Sequence, residues 1–391
     1  MEKYTTIEFD RVRPLLSSTE RTYAKIDLRA IRHNGNRARA LFPGKKLLSV
    51  LKADAYGHGI DGVVPAFETF TDWYAVATVE EGLAIRAQSE KPILLFGAVP
   101  EGKLLLAAEN NLTFTVGSLP YAGLLSRVMR SCGKTASCQL KIDTGLNRSG
   151  LRWREDEDSL AEIMEARSLP NLRFCGTYTH FACGEGQEAW ELAFTEKQFL
   201  RFSSALAAME AAGLDPGLRH CCSTGGGLVH PEYCFDLVRM GMLPLGMSYS
   251  DESVHECGLI PAMTWVSFLT QIKKIKAGET VSYGCTYKTD CDRVIGMVSC
   301  GYADGYHRYY SNRSHVLIGG KRARVLGRIA MDYLMIDLSE VPNPTLGMEV
   351  ILLGSDGQNE ISAQTLSAFG ESVSGEVTCT VSSRVPRIYV R

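Results

Sequence analysis

Between residues 20 and 250, eight short apolar runs alternate with longer segments of helical periodicity, and no other feature restricts the fold as much. The runs are LLSV (47–50), WYAVAT (73–78), ILLFG (93–97), LTFTV (112–116), CQLKID (138–143), RFCGTYTH (173–180), RHCCS (219–223) and FDLVRMG (235–241). Helical patterns such as Val79–Gln88, Tyr121–Arg130 and Glu188–Ala212 fall between them. Strands joined through helices make a parallel sheet, because a parallel crossover needs a connection of that length. Eight such units in about 230 residues predict an α/β fold, a closed (β/α)8 TIM barrel of ordinary size. An open doubly wound sheet is the alternative, but no GxGxxG follows the first strand.

Beyond about residue 255 the helical texture stops. WVSFLTQI, RVIGMVS, HVLI, KRARVLG, YLMIDL, MEVILLG and PRIYVR are short strands separated by turn residues, and Gly319-Gly320 between two of them signals a hairpin. One helix is expected near Ser362–Phe369. The expected organisation is an N-terminal extension (1–20), a barrel (21–252) and a smaller, mainly-β C-terminal domain (253–391).

Composition excludes several functional classes. Forty-two basic residues against 44 acidic ones leave a net charge of -2, without the electrostatic footprint of a nucleic-acid binder. No run approaches a membrane span, and MEKYTTIEFDRVRP carries acids where a signal peptide needs an apolar core. Twelve scattered cysteines without a CxxC pair read as reduced thiols rather than metal ligands, so a cytoplasmic location and no metal are expected.

A barrel collects its chemistry at the C-terminal ends of its strands. Lys52 follows the first strand there, and a lysine in such a mouth can form a Schiff base with an aldehyde cofactor. The fifth strand runs into Lys141–Gly150, a loop of mixed charge that includes Arg148, and the sixth ends at His180. Ser223-Thr224 and three glycines follow the seventh strand, and Arg239-Met240-Gly241-Met242 ends the eighth. Hydroxyls and open backbone N–H groups after strands seven and eight are a barrel's usual means of holding phosphate. Taken singly, each has a bland reading as a solvated charge, a polar turn or a core histidine. Together they describe a ring-and-phosphate cofactor anchored by Lys52.

The sequence resembles the alanine racemase family. The resemblance rests on AKIDLRAIRHN (24–34), VLKADAYGHG (50–59), KIDTGLNRSG (141–150), YTHFA (178–182), HCCSTGG (220–226), VRMGM (238–242), SYGCTY (282–287), GYADGYHR (301–308), GRIAMDYLMID (327–337) and SRVPRIY (383–389). It implies a pyridoxal 5'-phosphate enzyme, homodimeric, with active sites at the subunit interface. Lys52 would form the internal aldimine and serve as one proton-transfer base, and Tyr283, from the other subunit, as the opposite base. Arg239 matches the residue at the pyridine nitrogen, Arg148 the one near the phenolic oxygen, and His180 the residue holding the ring. Tyr56, Ser223, Thr224, Gly241 and Met242 match positions at or beside the phosphate. Met331 matches a substrate-carboxylate position and Tyr302 the access corridor. Lys141 matches a lysine that many members carbamylate.

Two departures stand out. Ser383 occupies a position before RVPR where many members have tyrosine, so the pocket could admit serine as well as alanine; the competing reading leaves specificity unchanged. Ser223-Thr224 replaces a common Asn-Ser pair but keeps a hydroxyl. The implied activity is interconversion of L- and D-alanine, supplying D-alanine for peptidoglycan. A serine or serine/alanine racemase, and a pyridoxal-phosphate carrier or decarboxylase, are the alternatives.

Overall fold

A computed structural model describes residues 4–6, 20–155, 158–248 and 251–391; most of the expected N-terminal extension lies outside these described residues. The chain forms two compact units, one of Gly35–Ala55 and Phe67–Leu243, the other of Met1–Asn34, Tyr56–Ala66 and Pro244–Arg391.

The first unit holds the eight expected strands: β1 (Lys46–Val50), β2 (Trp73–Val76), β3 (Ile93–Leu95), β4 (Leu112–Val116), β5 (Ala136–Asp143), β6 (Leu172–Tyr178), β7 (Leu218–His220) and β8 (Leu237–Met240). All pair in parallel, in the order β7-β6-β5-β4-β3-β2-β1-β8. The ends of this order meet in a short seam, where Asp236 N–H donates to Arg219 O (3.0 Å) and Arg239 N–H to Cys222 O (3.1 Å). The result is a nearly closed barrel. Strands β2, β3 and β4 are buried throughout, which explains the continuous apolar runs of β2 and β3, while β4 buries two threonines between its apolar residues. Fully buried Leu47, Tyr74, Leu94 and Phe114 each contribute about 1.5–3 kcal/mol of hydrophobic stabilisation.

Helices follow the strands as expected, at Val79–Arg86, Leu119–Ser131 and Ala189–Ala211 among others. Thr78 and Glu81 form a reciprocal capping box that starts the first of these, and the Ser118 hydroxyl caps the second. Cys221 and Cys222 are fully buried in the barrel wall, and no disulfide occurs among the described residues.

In the second unit, the long strand β9 (Met263–Ile275) pairs antiparallel with β10 (Arg293–Val298) and β14 (Glu349–Ser355). The hairpin of β11 (His315–Ile318) and β12 (Lys321–Arg324) turns through Gly319 and Gly320, both at positive φ as a two-residue hairpin loop requires. β13 (Leu334–Asp337) and β15 (Arg387–Val390) complete the set of longer strands.

Thr22–Asp27, which the sequence places at the start of the barrel region, is instead a strand of this second unit. It lies between β9 (antiparallel) and β15 (parallel). Its anchor is Thr22, whose hydroxyl accepts from buried Trp265 Nε1 (2.9 Å) and donates to Val266 O (2.8 Å). Tyr23, Val266, Phe268 and Ile388 form an apolar cluster on the same sheet. Two helices occur where one was expected, Ala363–Ala368 and Ser374–Cys379. No helix among the described residues is long and apolar enough to cross a membrane, and no cluster of metal-ligating side chains occurs among them.

Candidate active site

Lys52 follows β1 by one residue and is exposed at the strand's C-terminal end. Ala53, Asp54, Ala55 and Tyr56 then all adopt φ between +52° and +55°. This is a left-handed turn built without glycine, at roughly 1–2 kcal/mol per residue. Bonds from outside the turn hold it: Ala53 N–H donates to Glu81 Oε1 (2.7 Å), and Ala55 N–H to Leu51 O (2.9 Å). Glu81 is itself fixed by accepting from the Ala77 and Thr78 amides. Tyr56 ends the turn half-buried, with its phenol pKa raised by burial.

The strand-end side chains of β5 to β8 form one connected cluster. Arg239, 5% exposed, donates Nη1–H to His220 Nδ1 (2.9 Å) and Nη2–H to both His180 Nδ1 (3.0 Å) and Cys221 O (2.8 Å). The bonds leave its Nε–H and one Nη1–H uncommitted. His220 stacks on the Tyr178 ring (4.8 Å, 3°), and Tyr178 Oη pairs with Thr115 Oγ1 (2.8 Å). Lys141 Nζ lies 4.7 Å from the centre of the Tyr178 ring.

The electrostatics of this cluster follow from burying several cations together. Burial, then the charges of Arg239 and Arg148, hold the Lys141 amine well below its usual pKa. Burial and the charges of Arg239, Lys141, Arg148 and Lys52 hold His180 well below the normal imidazole range. His220 is lowered by burial, Arg239 and Lys141. Both histidines are therefore neutral near pH 7.

Arg148 is exposed on the loop after β5, which Asp143 organises. Asp143 Oδ1 accepts from Gly145 N (2.8 Å), Asn147 N (3.2 Å) and Arg154 Nη2 (3.3 Å). After β7, the Ser223 hydroxyl caps Thr224–Val229 by accepting from Gly226 N. Thr224 Oγ1 is buried with no hydrogen-bond partner among the described residues, so it is the hydroxyl left for a ligand. Gly241 and Met242 lie half-buried just past β8.

The second unit gathers another group. Tyr283 is 69% exposed, on a turn where Ser282, Gly284 and Cys285 all have positive φ. The Ser282 hydroxyl ties this turn to Arg328 O. Tyr302 and Met331, both exposed, sit on loops laced together by Tyr302 N–H to Ala330 O and Ala303 N–H to Met331 O (both 3.0 Å). Gly301 permits that approach, since a Cβ there would stand 2.4 Å from the Ala330 and Met331 carbonyl oxygens. Buried Asp304 pairs with Arg21, and Arg384 bonds Asp332 (2.7 Å), which fixes the segment carrying exposed Ser383.

Lys52, Lys141, Arg148, His180, Ser223, Thr224, Arg239, Gly241 and Met242 thus belong to the barrel unit, and Tyr56, Tyr283, Tyr302, Met331 and Ser383 to the other. The motif reading passed over His220, Gln139 and Tyr178. For Gln139 the signal was a polar side chain two residues before Lys141 on the same strand, hence on the same face.

Comparison with known proteins agrees with this fold. The family described as "Alanine racemase, N-terminal domain" matches residues 26–248, and "Alanine racemase, C-terminal domain" matches 262–389. An alanine racemase of Desulforamulus reducens is 37% identical, over 95% of this chain and 99% of the relative. One of Desulfovibrio desulfuricans is 36% identical, over 96% of this chain and 100% of the relative. Among solved structures, alanine racemase of Clostridium difficile 630 superposes with a TM-score of 0.89 at 32% identity, covering 95% of this chain and 96% of that one. The enzyme from D-cycloserine-producing Streptomyces lavendulae gives 0.87 at 35%, covering 95% and 97%. The chain belongs to the alanine racemase family.

Proposed function

We propose that this protein is a cytoplasmic alanine racemase, a homodimer that binds pyridoxal 5'-phosphate and interconverts L- and D-alanine, the D-isomer feeding peptidoglycan. The observation that carries the reading is the presence of KADAYGHG, with Lys52, and SYGCTY, with Tyr283, in a chain that matches an alanine racemase over 95% of its length. The barrel residues fit the cofactor: an exposed lysine, a buried threonine hydroxyl without a partner, and an arginine with uncommitted N–H groups.

When bound, the cofactor supplies an electron sink that acidifies the α-carbon of an attached amino acid. Inversion there needs proton removal on one face and delivery on the other, so two bases are required. Lys52 Nζ would hold the cofactor covalently and move the proton on one face. Tyr283 Oη, exposed on its own chain, would move it on the opposite face of a second copy's site. Arg239 carries donors only, so it would leave the pyridine nitrogen it meets unprotonated, which would limit side reactions such as transamination. His180 would steady the ring and Arg239.

Thr224, Tyr56, Ser223 and the backbone at Gly241 and Met242 would take the phosphate. Arg148 would sit by the phenolic oxygen and substrate, with Met331 and Tyr302 of the second copy on the substrate side. Burial and the neighbouring guanidinium charges lower the Lys141 pKa, which favours its neutral amine. That form can attack CO2, losing one proton and gaining the carboxyl of a carbamate that would support Arg148.

The test is racemisation of L-alanine and L-serine by the pyridoxal-loaded protein, with Lys52→Ala as the blank. Alanine turnover is expected, with none in the blank. Serine turnover equal to or above alanine's, reduced by Ser383→Tyr, would make this a serine or serine/alanine racemase. Cofactor binding without turnover on either would indicate a carrier, and amine release with loss of CO2 a decarboxylase.

A further inference from the structure

Arg239 on one side of His220 and Gln139 on the other favour the same tautomer of the imidazole between them. A guanidinium has five N–H donors and no acceptor, so an imidazole nitrogen bonds to it only while unprotonated. His220 meets Arg239 through Nδ1, and a neutral His220 therefore carries its proton on Nε2. That Nε2 lies 2.8 Å from Oε1 of Gln139, a fully buried residue of β5. The amide must present oxygen here, because the reverse orientation would set N–H against N–H. Gln139 Nε2 has no hydrogen-bond partner among the described residues, so the pairing at Oε1 alone orients the side chain.

We propose that Gln139 is a positioning residue for Arg239: it fixes the Nε2–H tautomer of His220, which keeps the Nδ1 lone pair facing the guanidinium. Without that acceptor, His220 can place its proton on Nδ1, opposing an Arg239 N–H and releasing one of the two imidazoles that grip the guanidinium. Tyr178 supports the arrangement by covering one face of the His220 ring. The cations acting on His220 are Arg239 on β8 and Lys141 on β5; the phenol on its face is Tyr178 on β6, and no carboxylate among the described residues acts on it. A glutamate at 139 would supply one and draw a second proton onto the ring. The consequence for catalysis rests on the function proposed above, whereas the tautomer does not.

The experiment is 15N NMR of the imidazoles in histidine-labelled protein, apo and pyridoxal-loaded, with Gln139→Met and Gln139→Glu compared to the parent. His220 is assigned by loss of its signal in His220→Gln. The parent should show a single Nε2–H tautomer for His220 that does not titrate through neutral pH. Gln139→Met, close in volume, should show an appreciable Nδ1–H population, with kcat down roughly 10- to 100-fold and KM little changed. Gln139→Glu should make the His220 ring titrate at higher pH and carry that pKa into the kcat profile. An Nδ1–H tautomer in the parent, or an unaltered His220 signal in Gln139→Met, would overturn the proposal. So would an altered signal with unaltered kcat. If pyridoxal phosphate fails to bind or alanine is not turned over, the functional reading falls and the ring signals still decide the tautomer.

Discussion

The barrel seam offers a sharp test of these energetics, because it closes through few bonds and Asp236 makes most of them at one end. Its backbone N–H donates to Arg219 O, and its carbonyl accepts from Lys46 N (3.0 Å), so the residue bridges β7 and β1. Its carboxylate accepts from Arg219 N (2.8 Å), Nε (3.0 Å) and Nη2 (3.0 Å). Asp236→Asn keeps the shape and the backbone bonds but loses the charge. The fork is 31–39% exposed, so its ionic part is worth about 0.5 kcal/mol. The weakened bond from the Arg219 amide adds a similar amount, for about 1 kcal/mol altogether.

Hydrogen exchange of the β7 and β8 amides reads this directly: protection should fall about fivefold at pH 7. The Arg219 guanidinium, followed by the bond from its backbone amide, holds the Asp236 pKa below 3.8 against an opposing push from burial. A depressed folded-state pKa contributes stability above the unfolded value, about 3.9, and loses it as pH falls through the folded one. The difference between parent and variant should therefore hold steady down to about pH 4.5 and shrink below it. Equal protection at pH 7, or a gap that does not narrow in acid, would refute the reasoning.

Three further outcomes are expected. Mixing Lys52→Ala and Tyr283→Ala chains, then unfolding and refolding them together, should restore about one quarter of the parental activity, since half the dimers then carry one intact site; no recovery would mean each site is made by one chain. Gly57→Ala should lower the unfolding free energy read from urea titration by more than about 2 kcal/mol, because its Cβ would meet Thr378 O at 2.0 Å at φ +79°. Gly97→Ala, with φ +89° and open space, isolates the backbone strain at about 1 kcal/mol.

Much of the fold was legible in the sequence, for a physical reason. Barrel strands are covered on both faces, so WYAV and ILL announce themselves as unbroken apolar runs. Thr22–Asp27 could not be placed this way, because pairing with β9 and β15 depends on partners hundreds of residues away. Ser374–Cys379 escaped notice because a six-residue helix with Gly375, Val377 and Thr378 has little intrinsic propensity. The left-handed turn after Lys52 was also hidden. Nothing in Ala-Asp-Ala-Tyr asks for positive φ, and the bond that supports it comes from Glu81, beyond the next strand. Site residues with distinctive motifs were readable, whereas His220 and Gln139 matter through contacts that only the closed barrel creates.

The pairing of Ala24 with Arg387 also bears on biosynthesis. All eight barrel strands are translated after Thr22–Asp27 and before β15. At 5–20 residues per second, the early strand waits about 20–70 s for its parallel partner. Its β15 side stays open for all of that time, whereas the eight barrel strands are complete once Met240 is made. A slow codon cluster after residue 250 would lengthen the exposure of that one strand and leave the barrel's own schedule untouched.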